Sequence, residues 1–387
     1  MRDARVRLIH GACYLLILLA TLPASAAEKL ADKLLPLIKA HEGKVAVAVK
    51  HLKTGETFAH NADEPMPTAS LIKLPVMVEA YRQAEAGKVD LQKMITLRPE
   101  DKVPGSGILT QHFSAGMTLP LVDAIHLMIV YSDNTATNLV VDQIGLPATT
   151  AAMEQFELPH TKLHSKVFKG TTTIAPERSK QFGLGSTTAN EMVQLLEMLD
   201  AGKLASPENT KAMQKHLAEC EGKRLSRDLP SEIRVQQKTG SVNAVRTVAG
   251  VLELPSGNVA VCVLTNENQD RSWLPTNAGE VIASKIGRVV FDHFEPDWKP
   301  AAQRKSLVLK LGAQGVRVEK LQQALNKELA AKGAADQQLT VDGDFGMQTR
   351  AAVVQWQNAT KQPETGELDL EAWKKLGLSE SDFQAAK

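Results

Sequence analysis

Ser70 and Lys73 stand three residues apart in Pro67-Thr68-Ala69-Ser70-Leu71-Ile72-Lys73-Leu74-Pro75, and their types and spacing suggest covalent chemistry. On a helix this spacing puts both side chains on one face. A serine hydroxyl is a weak nucleophile and needs a base within hydrogen-bond reach. Lysine fills that role when burial and nearby positive charge lower its pKa, and Leu71, Ile72 and Leu74 offer the apolar surroundings. A Ser-x-x-Lys match arises by chance about once in a chain of this size, so the pair needs partners.

Two further motifs supply candidates. Tyr131-Ser132-Asp133-Asn134 offers Ser132 to relay a proton towards a leaving amine and Asn134 to hydrogen-bond a substrate amide, although Ser-Asp-Asn alone is more often a helix cap or turn. In Lys238-Thr239-Gly240-Ser241, lysine and threonine on a strand can meet a substrate carboxylate, while Gly240 lets backbone approach closely. The Ser241 N–H can pair with that of Ser70 as an oxyanion hole. A second tripeptide of the same type, Lys53-Thr54-Gly55, precedes Ser70 in an apparent hairpin turn and reads as structure. No G-x-S-x-G elbow, H-E-x-x-H, P-loop or dinucleotide fingerprint occurs, and His160 and His164 lie in a loop-like, Pro-bearing stretch. The sequence calls for no metal and no cofactor.

Ser70-x-x-Lys73, Ser132-Asp133-Asn134 and Lys238-Thr239-Gly240, in this order and at these separations, resemble the class A β-lactamases and penicillin-binding proteins. The resemblance covers residues 28–295. It implies Ser70 as nucleophile, Lys73 as proton acceptor, Ser132 as relay, Asn134 on the substrate amide, and Lys238 and Thr239 on its carboxylate. Arg246, eight residues beyond Lys238, is the candidate for a second positive group there. One departure bears on mechanism. Class A enzymes carry Glu-x-x-Leu-Asn in the loop that positions the deacylating water, and the matching stretch here, 163–186, lacks it. Glu177 is the one carboxylate between Lys162 and Thr188 and the remaining candidate for that base, with an ion pair to Arg178 as the competing reading. Without a water-activating base an acyl-enzyme forms but hydrolyses slowly.

The elements that must position these residues follow from apolar patterning. An amphipathic helix is expected over 28–40, interrupted or kinked at Pro36. Strands are expected over 45–51, 57–60, 235–238, 247–253 and 258–266, a helix-rich segment over 70–204, and a closing helix over 279–294. This order predicts an α/β (α+β) fold: an antiparallel sheet packed with helices, plus an all-helical subdomain. Residues 296–306 read as a polar, Pro-bearing linker. Residues 307–378, with helices expected over 316–332, 346–357 and 369–376, predict a small three-helix domain. It resembles the peptidoglycan-binding domain type 1 family through Gly312, Gly315, Leu321-Gln322, Val341-Asp342-Gly343, Phe345-Gly346, Trp356-Gln357, Thr365-Gly366 and Trp373. The resemblance implies attachment to cell-wall glycan or stem peptide. The tryptophans read as packing rather than as a sugar platform.

Bulk properties narrow the class. Of 387 residues, 45 are basic and 44 acidic, a balance that gives no footprint for nucleic acid or an anionic membrane. Arg2, Arg5 and Arg7, the apolar run 12–22 and Pro23-Ala24-Ser25-Ala26-Ala27 read as a signal peptide over 1–26, too short for a membrane span. The expected destination is the periplasm or exterior, in association with the cell wall. Cys220 and Cys262, the two cysteines of the mature chain, are expected to be unpaired. Three functions fit. The first is a serine hydrolase that forms an acyl-Ser70 intermediate with β-lactams and hydrolyses them. The second is a penicillin-sensitive D-alanyl-D-alanine peptidase or peptidoglycan hydrolase. The third is a catalytically silent wall-binding protein.

Overall fold

The first unit contains strands β1 (Lys44–His51), β2 (Thr57–His60), β3 (Met66–Pro67), β4 (Met94–Thr96), β5 (Thr118–Pro120), β6 (Lys162–Leu163), β7 (Gly185–Thr187), β8 (Val235–Val242), β9 (Val245–Leu252) and β10 (Val259–Asn266). Five of them form one antiparallel sheet in the order β2-β1-β10-β9-β8. The computed structural model describes residues 24–300, 308–331, 333 and 338–384, and its backbone divides into one unit ending at Pro296 and another beginning at Asp297. The expected signal segment lies outside the described residues, except that Ala24–Ala26 belong to the first helix. Most of the linker lies outside them too.

The sheet is covered on both faces. Ala46, Ala48, Ala249, Ala260, Cys262 and Leu264 join the large core formed with the helices, and the alternate residues Val47, Val49, Val248, Val261 and Val263 are buried as well. Such strands read as continuous apolar runs rather than strict alternation. Helices α1 (Ala24–Lys39) and α10 (Ala278–Phe294) pack together, with α10 against β9 and β10, while the helical segment packs on the other face through the large apolar core. α1 is continuous through Pro36, so the proline does not interrupt it. Asp32, whose carbonyl loses its helical donor there, is exposed like Pro36 itself, so water can donate to it instead.

The helical segment comprises α2 (Lys73–Glu85), α3 (Leu109–His112), α4 (Leu121–Val130), α5 (Asn134–Ile144), α6 (Leu146–Gln155), α7 (Pro176–Phe182), α8 (Ala189–Asp200) and α9 (Pro207–Ala218). Its core combines Met77, Tyr81, Ile125, Met128, Leu139 and Leu196 among others. Cys220 and Cys262 are both buried and free. Lys53-Thr54-Gly55 occupies the β1–β2 turn, where the Thr54 N–H donates to His51 Nδ1 at 3.1 Å.

The second unit has helices Val316–Ala331, Met347–Ala359 and Leu370–Lys375, and a fourth, Glu380–Gln384, that was not expected. Five residues are too few for a periodic signal; Phe383 holds the turn in place by packing edge-on against Trp373 at 5.1 Å. Trp356 and Trp373 are core residues. Two glutamines act as latches. Gln322 donates to Asp342 and Thr349 side chains and accepts from the N–H groups of Asp342 and Gly343. Gln357 likewise donates to Thr365 and accepts from the Gly366 N–H. Each satisfies a buried Gly turn that would otherwise leave backbone donors without partners.

Candidate active site

Ser70 lies in a 3-10 turn, Ala69–Ile72, and Lys73 is the first residue of α2. Three residues make one turn of such a helix, so the two side chains share a face more directly than on an α-helix. The turn is fixed from outside. The Thr68 N–H donates to Gly185 O of β7 at 3.0 Å, and Thr68 O accepts from Thr247 Oγ1 of β9 at 2.7 Å. β8 runs alongside: a Cβ on Gly240 would stand 2.4 Å from Thr68 O and 2.8 Å from the Leu71 nitrogen. Only glycine allows that approach. Ala69 adopts φ +45° and Ser132 φ +53°, a left-handed conformation that costs a non-glycine residue about 1–3 kcal/mol.

Asp133 explains how Ser132 and Asn134 are held. It caps α5 by accepting from the Ala136 N–H at 2.8 Å, and its other oxygen accepts from the Ile108 and Leu109 N–H groups at 2.7 and 2.8 Å. Asn134 in turn donates to Pro104 O at 2.9 Å, and its own N–H donates to Ser106 O at 3.0 Å. Replacing Asp133 by alanine leaves three backbone donors unpaired, two of them in buried bonds, and is expected to lower unfolding free energy by about 3 kcal/mol. Urea denaturation checks this; a loss below about 1 kcal/mol would contradict the capping role.

The charged groups form a bonded chain. Lys73 Nζ donates to Ser132 O at 2.6 Å, Asn134 Oδ1 at 2.9 Å and Ser132 Oγ at 3.2 Å. Lys238 Nζ reaches the same Ser132 Oγ at 3.0 Å. Ser132 therefore bridges two fully buried lysines. Burial, then the Lys238 ammonium, hold Lys73 well below the ordinary lysine range, against the opposing pull of Asp133. Burial pushes Lys238 down to about 8, and Arg224 adds to the shift. Ser70, Ser132, Asn134, Thr239, Gly240 and Ser241 line one open cleft of about 920 Å³. A buried lysine with depressed pKa, a bridging hydroxyl and a nucleophilic serine can together move a proton from a hydroxyl to a leaving group.

Two expected site residues are not at the cleft. Glu177 sits on α7 with its side chain 85% exposed and paired to Lys180 at 2.9 Å, so it belongs to the outer surface of its loop rather than to the site. The pair with Arg178 does not form either; Arg178 donates to Ser186 Oγ. Arg246 is buried, with its fork donors on the carbonyls of Asn243, Val245 and Ser272 and its Nε 3.4 Å from Glu280. It supports the β8–β9 turn and presents no free guanidinium to the cleft. Arg224, buried behind the strand and paired with Glu280, is the basic group next to Ser241: its Nη2 donates to Ser241 Oγ at 2.9 Å and its Nη1 donates to Gly240 O at 3.0 Å. Its loop passes close because Gly222 has no side chain: a Cβ there would stand 2.4 Å from Thr239 Oγ1. No local pattern marks Arg224 in the sequence.

The loop between β6 and β7 contributes Lys166, Val167 and Phe168 to the cleft. Its ends are joined by the pairing of Leu163 with Gly185. Buried Asn138 fixes the middle, accepting from the Val167 N–H at 2.8 Å and donating to Val167 O at 3.0 Å. Lys166 pairs with Asp142. No cleft-lining residue is an Asp or Glu.

Comparison with known proteins agrees with this geometry. A model of the β-lactamase enzyme family matches residues 29–294. The chain belongs to that family. It is a serine hydrolase of the β-lactamase type, and residues 314–376 match a putative peptidoglycan binding domain. Among curated relatives, β-lactamase VEB-1 of Pseudomonas aeruginosa is 22% identical over 69% of this chain and 91% of its own length. OXY-2 of Klebsiella oxytoca is 29% identical, but the match spans half of that protein and 38% of this one. A solved β-lactamase of Sphaerobacter thermophilus is 30% identical with a TM-score of 0.61, covering 70% of this chain and 97% of its own. PBP-A, at 20% identity and a TM-score of 0.61, covers 71% and 97%; one of its mutants has been solved as an acyl-enzyme complex with penicillin G. Among the described residues no helix is long and apolar enough to cross a membrane.

Proposed function

We propose that this protein is an exported, wall-associated serine hydrolase that β-lactams acylate at Ser70, and that it releases the acyl group slowly. The observation that carries this reading is the Lys73–Ser132–Lys238 chain, whose Ser132 lines the same cleft as Ser70, in a lining that holds no carboxylate. Neutral Lys73 takes the Ser70 proton as Oγ attacks the carbonyl carbon, and Ser132 passes a proton to the departing nitrogen. Asn134 holds the acylamide, while Lys238 and Thr239 hold the carboxylate, with Arg224 behind Ser241. The amide N–H groups of Ser70 and Ser241 receive the oxyanion. Deacylation needs a base for water. The class A relatives favour turnover, but the absence of Asp or Glu from the cleft lining favours a persistent adduct. The second unit and the basic, apolar N-terminus support a role at the cell wall, with β-lactams or wall stem peptides as acyl donors.

Intact-mass spectrometry with benzylpenicillin tests the proposal. The wild type is expected to gain one whole penicillin and keep it through a time course in which Ser70→Ala gains none. Labelling of Ser70→Ala at the wild-type rate, or no adduct and no hydrolysis by the wild type, would overturn it. Rapid hydrolysis without accumulation would refute the slow-release half alone.

A further inference from the structure

Phe168 is a bulky residue in a position that the backbone reserves for others. It is the third residue of the Lys166–Lys169 turn, closed by the Lys169 N–H donating to Lys166 O at 3.2 Å, and its φ is +54°. Turns with φ positive at that position favour glycine or asparagine. The turn therefore gives no reason for phenylalanine, and the core gives none either, because the residue is 65% exposed. Its ring instead lies over Gly105 across the cleft: a Cβ on Gly105 would stand 3.1 Å from Phe168 Cε2 and 2.7 Å from Asn134 Nδ2. The missing side chain at 105 makes room for the ring beside the amide of Asn134. Strain kept at a cleft wall, where an exposed aromatic does no folding work, is the mark of a ligand contact.

The surroundings define the ligand. Phe182, Leu184 and Val167 continue the apolar wall, and Lys166, the one charged side chain lining the cleft, already pairs with Asp142, while no Asp or Glu lines the cleft itself. A cationic substituent would find no partner there; an apolar ring would find a flat face. The geometry points to Phe168 as the specificity-determining platform for the acyl side chain, selecting donors whose acylamide bears an apolar, preferably aromatic, group over donors with none or with a cationic one. The inference rests on the proposed acylation at Ser70.

Second-order acylation rate constants for benzylpenicillin, ampicillin and 6-aminopenicillanic acid test it. The wild type should prefer benzylpenicillin over the side-chain-free nucleus by about tenfold or more, the scale of one aromatic contact, with ampicillin between them. In Phe168→Gly and Phe168→Asn, two residues that suit the backbone and keep the turn, that ratio should fall by about tenfold. Phe168→Tyr should retain it. An unchanged ratio in either variant, or a proportionate fall for all three compounds, would overturn the inference. Failure of the wild type to react with any of them would instead sink the acylation reading on which it rests.

Discussion

Lys73→Met and Lys73→Arg are both expected to slow acylation of Ser70 by about 10³-fold, the usual scale for loss of a positioned base. The pair of variants separates two roles. Arginine keeps a positive charge at the site but does not deprotonate in proteins, so it cannot accept the serine proton. If Lys73 acted only as a charge, arginine would retain most of the rate; retention within tenfold would remove it as the base. Unfolding does not confuse the reading for methionine. Its apolar chain fills the space of the lysine stem, and removing a fully buried ammonium removes a desolvation cost. Ser132 O and Asn134 Oδ1 would keep Ser106 Oγ, at 2.7 and 3.4 Å, as a neighbouring donor. The wild-type pH profile follows from the same two lysines. Burial and Lys238 lower the pKa of Lys73, so the neutral base is present above that depressed value and acylation rises with pH through it. Lys238 must stay protonated to hold a carboxylate, so the rate should fall again as pH passes about 8. Stopped-flow labelling with a fluorescent penicillin measures both limbs.

The legible part of this protein was what is written in contiguous residues. Ser70 with Lys73, Ser132 with Asn134, and Lys238 through Ser241 are short words on single elements; Ser70, Ser132, Asn134 and Thr239 to Ser241 line one cleft, and Lys73 and Lys238 are buried behind it on Ser132. The sheet was equally readable, because strands buried on both faces are long apolar runs bounded by turns. Contacts between distant segments were not. Arg224 reaches Ser241 from a loop whose only cue is Gly222, and that glycine has meaning only beside Thr239. Arg246 looked available because its distance along the chain from Lys238 was right; the carbonyls that occupy it come from folding of the 267–277 segment and its own turn. Glu177 failed for a related reason. Being the one carboxylate in its loop made it the candidate, but α7 turns it to solvent, and sequence cannot tell the inner face of a seven-residue helix from the outer.

Val167→Glu is expected to shorten the life of the acyl-enzyme by at least about tenfold, towards the 10²–10⁴ range of general-base catalysis. Val167 is the residue whose replacement brings a carboxylate to the cleft with least disturbance. Its backbone is clamped on both sides by buried Asn138, so the position stays put when the side chain changes. Val167 is buried but lines the cleft, so the two added heavy atoms have the cleft volume beside them. The new acid should remain ionised at neutral pH, because Lys73 and Lys238 lie in the same site and a nearby cation favours the charged carboxylate. Ionised and beside the ester, it can take a proton from water attacking the Ser70 acyl carbon. It adds nothing to the first half-reaction, which already has Lys73. The expected signature is therefore a benzylpenicillin adduct that forms as in the wild type and then decays, with steady hydrolysis in its place. Time-resolved intact mass and substrate loss measure the two steps separately. Adduct decay unchanged from the wild type, in a variant that still acylates, would mean that something other than a missing carboxylate limits release.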